Sequence, residues 1–200
     1  MEPSSVAANG VHCALDTEPL DEPRIRRWIV RQCLGADPVL DIGCGTGELC
    51  ADLTRRGHHV TGVDRDPVPL ATAERIAAQG GPYSTPTWLQ DDGEVLARIG
   101  DEQFGAVTLV FVLHHMTDPM AGLRAAWRVL QPDGDLLIAE MLPKGPQAGD
   151  PCHRIRLEQW LMWFSALEPA ALRLIAPANE EWLLARLGKT ENGAPNSRPK

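Results

Sequence analysis

Apolar residues along this chain follow two alternating rhythms, and the alternation predicts the fold. Short, largely apolar runs occur at Val39 to Ile42, His59 to Val63, Thr87 to Gln90, Ala106 to Leu113 and Asp135 to Met141. Runs of that length, bounded by turn residues, read as strands, and the unbroken fourth one fits a central parallel strand covered on both faces. Between them the spacing turns helical: Leu49 and Leu53, then Leu70, Ala73, Ile76 and Ala77, then Leu123, Trp127 and Leu130. An earlier helix, Arg24 to Leu34, carries Ile25, Trp28, Ile29 and Cys33, and a short helical piece is expected over Glu94 to Ile99.

The punctuation agrees with those elements. Asp66-Pro67 and Asp118-Pro119 each place a capping carboxylate before a proline in the first helical turn. Arg55-Arg56-Gly57 puts cations in a last turn and glycine just past it, while Gly80-Gly81 and Pro132-Asp133-Gly134 stop the elements before them. Strand and helix alternating at this spacing imply right-handed crossovers and a doubly wound parallel α/β sheet, Rossmann-like in architecture.

Two stretches lie outside the alternation. Residues 1–21 mix proline, serine, glycine and acids without period and read as a flexible arm; 189–200 read as a disordered polar tail. Residues 150–187 read as helical, with Trp160, Trp163, Phe164, Leu167, Trp182, Leu183 and Leu187. The expectation is one domain over 22–188 whose last part, 143–188, is a helical substrate or oligomer region. There Trp160, Trp163 and Phe164 could line an acceptor pocket, with His153, Arg154 and Arg156 for a substrate carboxylate. Such a stripe is more often core, the reading favoured for Trp163 and left open for Trp160.

Composition narrows the class. A length of 200 residues, 44% hydrophobic and 23% charged, fits one domain with a real core. The net charge of -8, with Arg24-Ile25-Arg26-Arg27 as the densest basic cluster, argues against a nucleic-acid partner. No run approaches the roughly 18 apolar residues that would span a bilayer, and residues 1–20 lack a basic-then-apolar leader. The five cysteines contain no CxxC pair, and Cys152 beside His153 lacks ligand spacing. Reduced thiols, a cytoplasmic setting, no membrane partner and no metal are expected.

In an open parallel sheet the ligand sits beyond the carboxyl ends of the strands. That gathers the loop Asp41 to Gly47, Asp64 after the second strand, Asp91-Asp92 after the third, and Phe111 to His115 after the fourth. Gly43, Gly45 and Gly47 permit positive φ and close approach to bare peptide, and Cys44 between them is a small residue that fits. Asp64 could accept from adjacent ribose hydroxyls, and Asp92 from an adenine amine, with Arg65 or Val95 and Leu96 over the ring faces. Asp41 and Glu48 flank the turn, where they would repel a pyrophosphate and attract an ammonium or sulfonium.

Asp41-Ile42-Gly43-Cys44-Gly45-Thr46-Gly47, Gly62-Val63-Asp64, Asp92-Gly93-Glu94-Val95-Leu96, Leu113-His114-His115-Met116 and Leu123 to Glu140 occur in this order. This series resembles the motifs of the class I S-adenosylmethionine-dependent methyltransferases that act on small molecules. The resemblance covers residues 38–142 and implies strand order 3-2-1-4-5, S-adenosylmethionine as cofactor with S-adenosylhomocysteine as product, and direct transfer of a methyl group to an O, N, S or C nucleophile. It assigns cofactor contacts to Asp41, Gly43, Cys44, Gly45, Gly47, Asp64, Arg65, Asp91, Asp92, Gly93, Phe111 and Val112. His114 and His115 are the candidate catalytic bases, and strand alternation lets one of the two face the site. Family members usually add two further strands, of which the sequence after Met141 shows no sign. The fifth strand would then have an open edge, to be covered by a homodimer through Leu136 to Met141 and the 154–187 helices.

Other readings share parts of this pattern. A non-catalytic cofactor-binding partner subunit would explain missing strands. A nicotinamide oxidoreductase shares the glycine turn and distal acid, but the GxGxG spacing and Asp41 count against it. An enzyme that attacks the cofactor's own aminobutyrate chain would keep the site and change the reaction.

Overall fold

The computed structural model describes residues 22–79, 85–143, 155–175 and 182–190. Its centre is a seven-stranded sheet in the order β3-β2-β1-β4-β5-β7-β6. The strands are β1 (Val39–Ile42), β2 (Val60–Asp64), β3 (Thr87–Gln90), β4 (Phe104–Val110), β5 (Leu130–Met141), β6 (Ala171–Ile175) and β7 (Trp182–Gly188). The first five are parallel to one another, in the order 3-2-1-4-5 that the resemblance implied. Helices α1 (Glu22–Gln32), α2 (Glu48–Thr54), α3 (Pro67–Ala78), α4 (Pro119–Val129) and α5 (Leu157–Ala166) accompany them.

The caps form as the sequence signals. Asp66 accepts a 2.9 Å hydrogen bond from the Val68 N–H, and Asp118 accepts from Met120 and Ala121 N–H at 3.0 and 3.1 Å, each before a proline. Both faces of the sheet are buried. Leu40, Ile42, Leu109, Ile138 and Leu183 pack with Trp160 and Phe164 in one apolar cluster. Val39, Ala106, Leu137 and Leu184 pack with Ile25, Trp28, Ile29 and Leu53 in the other. Trp160 is therefore a core residue, not a pocket wall.

The region after Pro143 corrects the helical expectation for 143–188. Only Leu157–Ala166 is helical there among the described residues; 171–175 and 182–188 are the two strands expected to be missing. β7 inserts antiparallel between β5 and β6, pairing Asp135 with Gly188 through Met141 with Trp182. Leu183, Leu184 and Ala185 are all buried, so this strand has no polar face and its apolar run matches that of a buried helix. Arg186 locks the register with a bidentate pair to Asp135, at 3.0 Å from Nε and 2.8 Å from Nη2. The edge of β5 is thus closed within the chain, and the dimer expected through that edge loses its basis.

Smaller corrections matter for the site. β4 stops at Val110, not Leu113; Phe111 is left-handed at φ 55°, and Leu113–His115 is a 3-10 turn. Residues 94–99 form turns rather than a helix, with Leu96 at φ 50°. β5 begins at Leu130 and carries the Pro132 to Gly134 turn as an irregularity in its pairing with β4. Gly80-Gly81, Cys152, His153, Arg154, the arm 1–21 and residues 191–200 lie outside the described residues. Among the described residues no helix is long and apolar enough to cross a membrane.

Candidate functional site

The glycine turn after β1 is shaped by three left-handed residues, Gly43, Gly45 and Gly47 at φ 73°, 53° and 78°. A Cβ on Gly43 would fall 2.2 Å from Val112 Cγ2, and one on Gly47 would fall 2.3 Å from the Trp88 ring. At Gly45 a Cβ would meet nothing within 4 Å, so this peptide faces open space. Two glycines are therefore needed for packing as well as conformation, and the third exposes bare backbone. The turn is anchored on β2: the Gly43 and Cys44 N–H groups donate to the Val63 carbonyl at 2.7 and 3.0 Å. The Gly45 N–H donates to Asp64 Oδ2 at 2.9 Å, and the Asp66 N–H to Asp64 Oδ1 at 3.0 Å. A carboxylate offers about four lone-pair sites, so each Asp64 oxygen keeps one for adjacent hydroxyls.

Two hollows open at the carboxyl ends of the strands, and both are lined by Gly43 and Phe111. The first, about 310 Å³, has Asp64, Arg65, Asp66, Asp92, Gly93, Glu94, Val112, His115 and Met116 on its walls. The second, about 280 Å³, is bounded by Arg26, Asp41, Cys44, Gly45, Thr46 and Glu48. Four carboxylates against one guanidinium in the first, and two against one in the second, favour a cationic guest and disfavour a phosphate. Asp41 is buried; it accepts from Thr108 Oγ1 at 2.7 Å and from the Cys50 thiol at 3.4 Å. Burial pushes its carboxyl up to about 6 against the pull of those hydrogen bonds. Arg26 reaches the second hollow from α1 and pairs with Glu48.

The loop after β3 separates Asp91 from Asp92, both expected to contact the cofactor. Asp92 lines the first hollow, whereas Asp91 accepts from the Asp92 and Arg98 N–H groups at 2.8 Å each and fastens the loop outside the lining. Glu94 accepts from the Thr117 and Asp118 N–H groups at 2.7 and 3.0 Å, tying this loop to the one before α4. Gly47 also lies outside both linings, covered by Trp88.

The two histidines part company. His115 is on the wall of the first hollow, and its pKa is lowered, by partial burial first and then by His114, with Arg65 adding and Glu140 opposing. At neutral pH it is a neutral imidazole able to accept a proton. His114 is buried with its Nδ1 2.6 Å from Glu140 Oε2, and the other Glu140 oxygen accepts from the Leu113 N–H at 2.7 Å. One histidine faces the site, as strand alternation had suggested, but through a 3-10 turn that splits the pair.

Sequence reasoning missed Arg26, Met116 and the roles of Glu94 and Glu140. Glu140 left a signal: it is the one charged residue in the run Leu136 to Met141, at the carboxyl end of a central strand. Arg26 left none beyond its place in the helix before the motif.

Comparison with known proteins agrees with this geometry. The methyltransferase-domain family matches residues 40–138. A ubiquinone biosynthesis O-methyltransferase of Pseudomonas putida (strain GB-1) is 35% identical over 134 residues, which are 66% of this chain and 56% of that protein. The chain thus spans little more than half the length of that relative. The YcgJ protein of Bacillus subtilis superposes with a TM-score of 0.73 at 20% identity, covering 86% of this chain and 100% of its own. The magnesium protoporphyrin IX methyltransferase of Synechocystis PCC 6803, solved with S-adenosylmethionine bound, gives 0.66 at 18% identity, covering 84% and 77%. At these identities the solved structures speak to the fold.

Proposed function

Since the chain belongs to the class I S-adenosylmethionine-dependent methyltransferases, we propose that it moves the methyl group of S-adenosylmethionine to a hydroxyl oxygen of a small metabolite. The observation that carries this reading is the pair of carboxylate-rimmed hollows that meet at Gly43 and Phe111. The first suits a nucleoside: Asp64 has lone pairs left for the ribose hydroxyls, Asp92 on the same wall would take the adenine amine, and Arg65 and Val112 its ring faces. The second suits an amino-acid end, with the bare Gly45 peptide and Asp41 facing an ammonium and Arg26 facing a carboxylate. The oxygen acceptor is taken from the name of the relative in Pseudomonas putida. A cytoplasmic setting belongs to the same proposal and is supported by the buried free thiols Cys33, Cys44 and Cys50.

When bound, the cofactor supplies an electrophilic methyl on a sulfonium, which leaves as a neutral thioether with the electron pair of the broken S–C bond. What the chain adds is alignment, worth about 7–11 kcal/mol in favourable cases. It also adds a proton acceptor: His115 faces the first hollow and takes the hydroxyl proton as the new C–O bond forms.

The test is incubation with methyl-labelled S-adenosylmethionine and a panel of phenols, catechols, carboxylic acids and amines. Labelled O-methyl product with S-adenosylhomocysteine is the expected result, and His115→Asn should slow it about 100-fold with little change in S-adenosylhomocysteine affinity. Tight S-adenosylhomocysteine binding with no acceptor methylated would favour a partner-subunit role, methylthioadenosine would mean attack within the cofactor's side chain, and refusal of both ligands would end the proposal.

A further inference from the structure

Glu140 is the most completely enclosed acid near the site, 1% exposed, and it lines neither hollow. It stands one residue from the end of β5, opposite Leu183 of β7, where an apolar side chain would be ordinary. A carboxylate enclosed this way is costly unless its lone pairs are satisfied. Here they are: Oε1 takes the Leu113 N–H at 2.7 Å, and Oε2 takes the His114 ring at 2.6 Å and the Met141 N–H at 3.3 Å. Both bonds to neighbours outside β5 go to the 3-10 turn that carries His115. The His114 and His115 rings then touch, with centroids 4.0 Å apart and planes tilted by 46°.

These contacts make a line from the core to the cavity wall: carboxylate, buried imidazole, exposed imidazole, hollow. We propose that Glu140 and His114 are positioning residues, which fix the 3-10 turn and hold the His115 ring on the wall of the first hollow as the base proposed above. The inference rests on the methyltransferase reading above and names the two residues behind its base. A hydrogen bond from Nδ1–H to a carboxylate also fixes the tautomer of His114, as partners behind catalytic and metal-bound histidines do. The ionisable groups that act on His115 are His114 and Glu140 behind it and Arg65 across the hollow, so the pair tunes its proton affinity as well as its place.

The variant that separates positioning from packing is Glu140→Gln. It keeps size and one acceptor for the Leu113 N–H, but it turns an amide N–H towards His114 Nδ1, which must then give up its hydrogen. Nitrogen-detected NMR of the histidines, with S-adenosylhomocysteine bound, reads both consequences. The expected result is a protonated His114 Nδ1 in the wild type, a switched tautomer in the variant, and a lower His115 titration midpoint once the nearby negative charge is gone. S-adenosylhomocysteine affinity should be unchanged. An unshifted His115 midpoint in a variant that still binds would overturn the inference and leave the cofactor reading standing. Should the variant not fold, the wild-type spectrum decides alone: a His114 Nδ1 without hydrogen refutes the pairing, and a protonated one supports it. Failure of the wild type to bind S-adenosylhomocysteine would instead strike the methyltransferase reading itself.

Discussion

The two halves of the sheet differ in what they store. Around β1, β2 and the end of β4 the chain holds conformations and charges that cost stability: left-handed Gly43, Gly45 and Gly47, left-handed Phe111, and the buried carboxyl of Asp41. A bulky residue at positive φ is an outlier that persists only where its surroundings over-determine it. Phe111 is held by an N–H bond to the Ala139 carbonyl and by Trp182, 5.0 Å away, and both partners come from the other half. That half, β5-β7-β6, has regular antiparallel pairing, fully buried Leu183, Leu184 and Ala185, and the Arg186–Asp135 clamp. The contrast teaches that the strands added after Met141 stabilise a scaffold whose first half is bent to its site.

If so, changes in the second half should move stability and spare binding. Leu184→Ala removes a buried side chain between Ala139 and Ile175 and should cost about 2–5 kcal/mol, seen as a lower denaturant midpoint. Below the unfolding transition, calorimetry should find S-adenosylhomocysteine affinity unchanged; an equal fall in affinity would show that the halves are not separable.

Asp41 tests the other side with the opposite sign. Its carboxyl is raised from the ordinary 3.8 to about 6, so the folded chain holds that proton more tightly than the unfolded one. Stability therefore falls as pH rises from about 4 through about 6, and above that the whole penalty is present, about 3 kcal/mol at 1.36 kcal/mol per pH unit. Asp41→Asn should recover up to that amount at neutral pH and nothing at low pH, while weakening binding of S-adenosylmethionine and S-adenosylhomocysteine alike, since both carry the ammonium that Asp41 is proposed to face. Denaturant melts across pH check the first outcome and calorimetry the second.

The same contrast explains what could be read from the sequence. The first half announces itself because its φ angles demand glycine at fixed positions and the cofactor proposed for it calls for acids near the strand ends, so Asp41, Gly43, Asp64 and Asp92 are visible as residue types. Trp182 to Gly188 carries no such demand. Buried on both faces, it offers neither alternation nor helical period, and its partner strand β5 lies more than 40 residues earlier, beyond any local signal. The split between His114 and His115 was hidden for a related reason, since it depends on Phe111 turning left-handed, which a phenylalanine does not advertise.

A smaller effect is expected at Asp64. Asp64→Ala removes the acceptor proposed for the ribose and should weaken S-adenosylhomocysteine binding about 10- to 100-fold, the cost of roughly 1–3 kcal/mol for unpaired polar groups. It also frees the Gly45 and Asp66 N–H groups, so some stability goes with it. Asp64→Asn, which keeps one acceptor, should return most of the stability and little of the affinity; equal recovery of both would assign Asp64 to the turn alone.

The smallest effect lies at the opposite edge of the same strands. His59, before β2, donates its N–H to Asp37 Oδ1 and places Nδ1 against Oδ2, both at 2.7 Å. The hydrogen bond and then the charge of Asp37 raise the His59 pKa above 6.5. Burial pushes Asp37 upward, but the bonds and charge of His59 together outweigh it and leave the carboxyl below 3.8. The stability due to His59 is present below 6.5 and is lost as pH rises through its raised value; that due to Asp37 is present above 3.8 and is lost as pH falls through its lowered one. Both groups are largely in solvent, which holds the gain to the range of surface pairs. His59→Asn should flatten the melting temperature slightly between those limits and leave S-adenosylhomocysteine affinity untouched at every pH. Any pH-dependent change in affinity would mean that the amino edge of β2 communicates with Asp64 at its carboxyl end, five residues along one strand, and that charge at the back of the sheet helps to set the site at its front.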